Sequence, residues 1–429
     1  MNNSTDGMLG TADWNETKST AAMECGMYEI YTLARFLFLS GASLIAILGM
    51  VANAFLVHLF ITHKPTANTP PTLYPGVLAA LDCVLCAMYV AIMGADAAVF
   101  YLSSAYLFEL FHLYIVQAFF LSKVTQLAIP YMLIFATLER LVWISGGVKN
   151  RLLKKMYSVR GRYVTIILSL GSCVCLRLPV LFAYEVQQFP DCPNFFRSKM
   201  ANVAEWVGES QVYHFYDFHG LVIAQTFIPF GVLIVLNFMV VRRLARVQSS
   251  NDLETQRPST CSTQMQEAMP PLLSPHDVQR EFSFDRKPSA ANGGEKRFSM
   301  SIGHYDLHSL MPRMSRRTNS AVRAAIYTMV GIVSSYLVSN SLHLVLTILE
   351  RSKVKILEDP EDPNLASGFH TAFSDLVSFI YMFTSAIRIL IYMGCNPQIR
   401  AEILQRLRNL SPACKRASLK QQQANGTAL

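Results

Sequence analysis

Charge is scarce in this chain. Only 15% of its 429 residues are Asp, Glu, Lys or Arg, while 52% are hydrophobic. Soluble domains usually carry about 25% charged residues, so this composition argues against a soluble globular protein. Other features are missing too. There is no glycine loop that would cradle a phosphate, no His/Asp metal set within an apolar run and no nucleophile beside a base. Their absence makes an enzyme the weakest class, and no cofactor or metal is expected. Transporters and channels typically show paired hydropathic repeats, and no repeat is visible, which argues against those classes. The first ~30 residues lack the charged start and short apolar run of a cleavable signal. The first apolar block is therefore expected to act as the insertion signal.

What is present is apolar sequence in blocks. Seven stretches reach the ~20 residues needed to cross about 30 Å of hydrocarbon. They lie at 33–62, 73–101, 110–144, 163–186, 217–244, 323–350 and 371–394. In lipid, every backbone N–H and C=O needs an internal partner, so each stretch is expected to be a helix. The expected fold class is an all-α membrane protein, a seven-transmembrane helix bundle with a short amphipathic helix after the seventh span.

The net charge of +8 would suit nucleic acid, but its distribution does not. Lys149, Arg151, Lys154, Lys155, Arg160 and Arg162 crowd the connection after the third span. Arg242, Arg243 and Arg246 follow the fifth, Arg316, Arg317 and Arg323 precede the sixth, and Arg400, Arg406 and Arg408 follow the seventh. The opposite connections carry Glu185, Asp191, Glu205, Glu209, Glu358, Asp359, Glu361 and Asp362. This is the positive-inside asymmetry of a membrane protein. It predicts an extracellular N-terminus and a cytoplasmic C-terminus, with lipid and not nucleic acid as the surrounding partner. The expected domains are an outer tail over 1–32, a helical domain over 33–394, an amphipathic helix over 395–410 and a cytoplasmic tail over 411–429.

Asn2, Asn3 and Asn15 each open an Asn-X-Ser/Thr sequon and are glycosylation candidates on the outer tail. The segment 247–318 is rich in Ser, Pro, Gln and charge without apolar periodicity, and is expected to be disordered. It holds RKPS at 286–289, KRFS at 296–299 and RRTNS at 316–320, and the tail adds KRAS at 415–418. Basophilic kinases would add negative charge there; chance matches in a solvated linker are the alternative. Of nine cysteines, only Cys25 and Cys192 fall on the oxidising side in this topology. They are a disulfide candidate, with two free thiols or an intermolecular bond as the alternative.

Polar residues inside the spans fall in a particular order. The first span has Asn53, and the second has LAALD ending at Asp82. The third ends in TLERL with Glu139-Arg140, the fifth has FIPF with Pro229, and the seventh has SAIRILIY ending at Tyr392. Taken together from about 33 to 410, these resemble the rhodopsin-like G-protein-coupled receptors. The resemblance implies that Arg140, beside Glu139, contacts a heterotrimeric G protein, with arrestin and receptor kinases as further partners. It groups Asn53, Asp82, Arg388 and Tyr392 as an internal polar network. It also implies a plasma-membrane location.

The departures from that family are equally specific. Arg388 stands where the family has Asn, and Ile389 where it has Pro. An unpaired charge in a span is costly, so Arg388 needs a partner, and the resemblance implies Asp82; the alternative is that Arg388 reaches toward the inner headgroups and water. The family holds a sodium ion between the corresponding acid and Asn, and the arginine would replace it. Asn396-Pro397 lies beyond the span. Asn suits an N-cap and Pro the first helical turn, so this pair is expected to start the amphipathic helix, with Cys414 a palmitoylation candidate just beyond. Leu141 ends the acid-Arg triplet in place of Tyr. Ile115 replaces the cysteine that usually bridges to the second outer loop, which leaves Cys192 to another partner. The fourth span lacks its usual Trp. Asn340 and Leu342 take the Trp and Pro places of the sixth span, and Asn237 replaces a Tyr in the fifth.

FIPFGVLIVLN at 227–237 and LRLPVLFAYEV at 176–186 resemble the divergent, nematode-type receptors for FMRFamide-like neuropeptides. An extracellular peptide is the implied ligand, and a small molecule acting on a chemosensory receptor is the alternative. An aminergic receptor would need an acid where Ser122 stands, and an opsin a lysine where Met382 stands. Asp96, Asp217, Glu350 and Asp375 fall near the outer helix ends and are candidates to meet a ligand arginine; ordinary solvated helix ends are the alternative. Lys123, Gln126 and Asn340, deeper in the bundle, are further ligand-binding candidates.

Overall fold

The computed structural model describes residues 25–26, 31–62, 72–145, 151–255, 320–352, 354–357 and 367–410. The sequons at Asn2, Asn3 and Asn15, the basic Ser/Thr clusters, Cys414, and the acids from Glu358 to Asp362 lie outside them, as do Lys149, Arg316 and Arg317. The chain divides into two units. One comprises 1–245 and 318–429, the other 246–317. In the second unit the described residues, 246–255, are helical.

In the first unit, α1 spans Leu33–Thr62, α2 Leu73–Leu102, α3 Ala105–Ile144, α4 Arg151–Met156 and α5 Val159–Ala183. A hairpin follows, made of β1 (Tyr184–Gln188) and β2 (Lys199–Val203), then the short α6 (Glu205–Glu209). α7 crosses as Gln211–Arg246 and stays helical to Thr255. α8 is Ser320–Arg351, α9 Gly368–Ala386, α10 Arg388–Cys395 and α11 Pro397–Leu410. Six of these helices are long and apolar enough to cross a membrane. The pair α9 and α10, bent by 41°, makes up to seven if it is one span. The chain is thus a mostly helical protein of multi-pass membrane type. Large apolar side chains face outward along the helices, among them Leu48, Ile61, Leu113, Ile167, Phe238 and Val338. Water would penalise so large an apolar exterior, and lipid would not.

Several boundaries differ from the expected ones; the fourth and fifth spans start earlier, at Val159 and Gln211, and four other differences have a visible setting. The third span starts at Ala105, because Ser103 adopts φ 50 and turns the chain between α2 and α3 within a few residues. The fourth was expected to reach 186 but ends at Ala183. There the Ala204 N–H takes the Ala183 carbonyl at 2.9 Å, and Tyr184–Gln188 pair with Lys199–Val203 as an antiparallel ladder. The helix after the fifth span runs to Thr255, into the segment expected to be disordered. No proline or glycine interrupts that stretch before Pro258. The seventh expected span breaks at Ile387, although position 389 is Ile and not Pro.

That break has a visible cause. The Asn53 side-chain amide donates to the Ser385 carbonyl at 3.0 Å and to the Gly49 carbonyl at 3.0 Å. A polar group inserted into the i→i−4 ladder bends a helix as proline does. The approach is possible because residue 49 is glycine: a Cβ there would lie 2.5 Å from the Ala386 Cβ. Small residues at such crossings let helix backbones meet in lipid. Three further irregularities are π-helical turns, Val90–Gly94 within α2, and Tyr216–Leu221 and Ile223–Phe227 within α7.

At the hairpin end, Cys25 and Cys192 form a disulfide with Cα atoms 5.3 Å apart. The Gly26 N–H donates to the Arg197 carbonyl at 3.0 Å, and Arg197 Nε returns a bond to the Gly26 carbonyl at 2.8 Å. The segment before α1 is thereby fastened to the hairpin. Cys25→Ser should lower the melting temperature by an amount equivalent to about 2–5 kcal/mol. Cys192→Ser should match it, and the double variant should be no worse than either, since both remove one bond. Additive losses measured by thermal unfolding would contradict a single shared bridge.

Candidate functional site

The polar residues of the spans converge on two places. The first is a buried line between α1, α2, α9 and α10. Asp82 is 0% exposed on α2, and Arg388, at the first turn of α10, is 2% exposed. Arg388 donates through one terminal nitrogen to Asp82 Oδ2. Asn53 sits beside them through Ser385. Tyr392, one turn beyond Arg388, packs edge-on against Phe60 with ring centroids 5.3 Å apart.

This line leads to a small cavity of about 50 Å³ at the end away from the hairpin. Arg140, Tyr392, Thr328, Met329, Asn396 and Glu402 are among its lining residues. Arg140 reaches it from α3. Its neighbour Glu139 points elsewhere: Arg162 Nε of α5 donates to Glu139 Oε1 at 2.6 Å, with Glu139 0% exposed. The Tyr157 hydroxyl donates to the Phe135 carbonyl at 3.4 Å. Burial, then the neighbouring Tyr74 and Glu139, push the Tyr157 phenol above its ordinary range, so it remains a neutral donor. α11 starts at the same end. Asn396 Oδ1 accepts from the N–H groups of Gln398 and Ile399 at 3.1 and 3.2 Å, a side-chain N-cap ahead of Pro397.

The second place is a cavity of about 370 Å³ in the hairpin half of the bundle. Four of the seven ligand-binding candidates line it: Lys123 and Gln126 from α3, Asn340 and Glu350 from α8. Gln225 from α7, His343 from α8 and Tyr381 from α9 are among its other polar lining residues, and Met88, Met93 and Phe119 supply apolar surface. Gln126 Nε2 donates to Ser122 Oγ at 3.2 Å. Glu350 Oε1 lies 3.2 Å from His370 Nε2.

The other three candidates, Asp96, Asp217 and Asp375, are not among that lining. Each instead meets a side chain of this protein. The Tyr31 hydroxyl donates to Asp96. Arg35 holds Asp375 through two nitrogens, at 2.8 and 3.4 Å, and its guanidinium lies 4.4 Å from the centroid of the Tyr31 ring. Arg177, 6% exposed, donates to Asp217 at 3.4 Å and to Gln225. Nothing in the sequence marks Tyr31, Arg35 or Arg177 as functional, and Arg162 stands there only among the boundary charges. All four sit near the ends of apolar runs, where Arg and Tyr ordinarily mark the lipid boundary. The available signal was an acid of opposite sign at a similar depth on another helix.

No protein-family model matches the chain, and comparison with curated proteins returns no match.

Proposed function

We propose that this chain is a rhodopsin-like G-protein-coupled receptor of seven spans, with the bent pair α9 and α10 forming the seventh. It sits in the plasma membrane with its N-terminus outside and its C-terminus in the cytosol. It answers an extracellular peptide, FMRFamide-like by resemblance, by activating a heterotrimeric G protein. The observation that carries this reading is the buried polar line from Asn53 and Asp82 through Arg388 to Tyr392, ending at a cavity that Arg140 also lines. Residues that carry the family resemblance in separate spans meet there in space. A second cavity in the opposite half suits a ligand site. An odd number of spans puts the disulfide and the basic helix ends on opposite sides of the membrane, in keeping with the charge asymmetry.

The second reading, a chemosensory receptor for small molecules, draws on cavity size. At about 370 Å³ the cavity fits a small molecule or the last one or two residues of a peptide. A second-messenger screen separates the two. Cells expressing this chain with a promiscuous G protein are challenged with C-terminally amidated peptides and, separately, with small odorant-like molecules. A nanomolar response to an Arg-Phe-amide peptide supports the peptide reading. Silence to peptides, with a response to small molecules from surface-expressed protein, supports the other.

A further inference from the structure

The 370 Å³ cavity presents donors that the protein itself leaves unmatched. Lys123 of α3 lines it. Among the described residues its ammonium has no ion-pair partner; it lies over the Phe119 ring, 4.9 Å from the centroid. Asn340 of α8 is 3% exposed, and its side-chain Nδ2 has no hydrogen-bond partner among the described residues. A buried donor without an acceptor costs free energy that a ligand oxygen would recover. The acid in the lining, Glu350, lies ten residues further along α8, about 15 Å nearer the hairpin end. The walls between carry Met88, Met93 and Phe119.

We propose that the cavity receives a terminal acyl group, a carboxylate or a carboxamide, next to an apolar side chain. Lys123 and Asn340 donate to the acyl oxygens. Methionine and aromatic walls hold the side chain, and any cationic part of the ligand lies toward Glu350. The proposal deepens the receptor reading by naming the chemistry at the buried end of the ligand. Of the four acids that are candidates to meet a ligand arginine, Asp96, Asp217 and Asp375 each meet a side chain of this protein, Tyr31, Arg177 and Arg35, and Glu350 is the one that lines the cavity.

The test reads binding alone, so it stands apart from signalling. The full-length purified protein is melted with N-acetyl-phenylalanine, N-acetyl-phenylalaninamide or phenethylamine at millimolar concentration. The expected result is a concentration-dependent rise in melting temperature with the acid, the amide or both, and none with the amine. A larger rise with the acid identifies a carboxylate ligand, and with the amide a carboxamide. Lys123→Met should weaken the better probe about 10- to 100-fold, and Lys123→Arg should retain most of its binding. Asn340→Leu should weaken it as well, which keeps the test decisive if Lys123→Met fails to fold. No rise with either acyl probe overturns the proposal. So does undiminished binding in both Lys123→Met and Asn340→Leu, or an amine response equal to the others. Acyl binding without any G-protein response would leave this inference standing and sink the receptor reading.

Discussion

Arg388→Met should destabilise the folded bundle by about 3–5 kcal/mol, and Asp82→Asn by a similar amount, because each leaves one buried charge without its partner. Asp82 and Arg388 are 0% and 2% exposed, and they touch through a direct hydrogen bond between α2 and α10. Water cannot take over for the missing group at such a depth. The double variant Asp82→Asn with Arg388→Met carries no charge at the site. It should lie within about 1–2 kcal/mol of the native protein, since replacing a whole buried pair by neutral groups is often close to neutral. Thermal unfolding of the four proteins in one detergent gives the cycle. Losses that simply add in the double variant would mean that the two groups do not interact. A further variant probes the site's chemistry. Arg388→Asn restores the residue that the resembled family carries, and it should make the melting temperature rise with sodium, whereas the native protein should not respond.

The second large effect concerns Glu139. Its carboxylate is fully buried and held by Arg162 from the neighbouring α5. The charge of Arg140 also acts on it. Arg162→Ala should cost about 2–4 kcal/mol of stability, a little less than the Asp82 case because Arg140 remains nearby. It should also reduce signalling several-fold. With Arg162 gone, Arg140 is left as the cation acting on Glu139, and the expected result is that it is drawn from the cavity it shares with Tyr392. Adding Glu139→Gln should recover most of the stability, since no charge is then left stranded. Surface expression, melting temperature and ligand response, measured together, separate the two consequences. A normal response from Arg162→Ala would show that the pair is structural only.

Much of this arrangement is legible from the amino acids. The apolar runs mark the crossing helices because lipid demands internally bonded backbone. That Arg388 needs a partner follows from the cost of an isolated charge in a span; that the partner is Asp82 is what the family resemblance implies. The start of α11 at Asn396-Pro397 follows from what the first turn of a helix needs. The bend at Ile387 is not legible, since no proline marks it. It depends on Asn53 reaching across from α1 past Gly49 to the Ser385 carbonyl. The end of α5 is hidden in the same way. Leu181–Tyr184 continue the apolar run of α5 without a break, yet Tyr184 and the residues after it are recruited by β2 from further along the chain. The choice of partners for Arg35, Arg162 and Arg177 is also hidden. A long guanidinium near a helix end has several acids within reach, and only the packing of the helices decides which one it meets.

A receptor of the kind we propose would couple an extracellular signal to a G protein through Arg140. The most direct measurement is dissociation of heterotrimeric G proteins, followed by resonance energy transfer in cells expressing this chain, against a panel of G-protein classes. Native protein and Arg140→Ala are compared at equal surface density while a mixture of amidated peptides is applied. The expected result is dissociation of at least one G-protein class with the native chain and its loss in Arg140→Ala at equal surface density. Dissociation that persists undiminished in Arg140→Ala would contradict it, as would the absence of any G-protein response from surface-exposed native protein to peptides and small molecules alike.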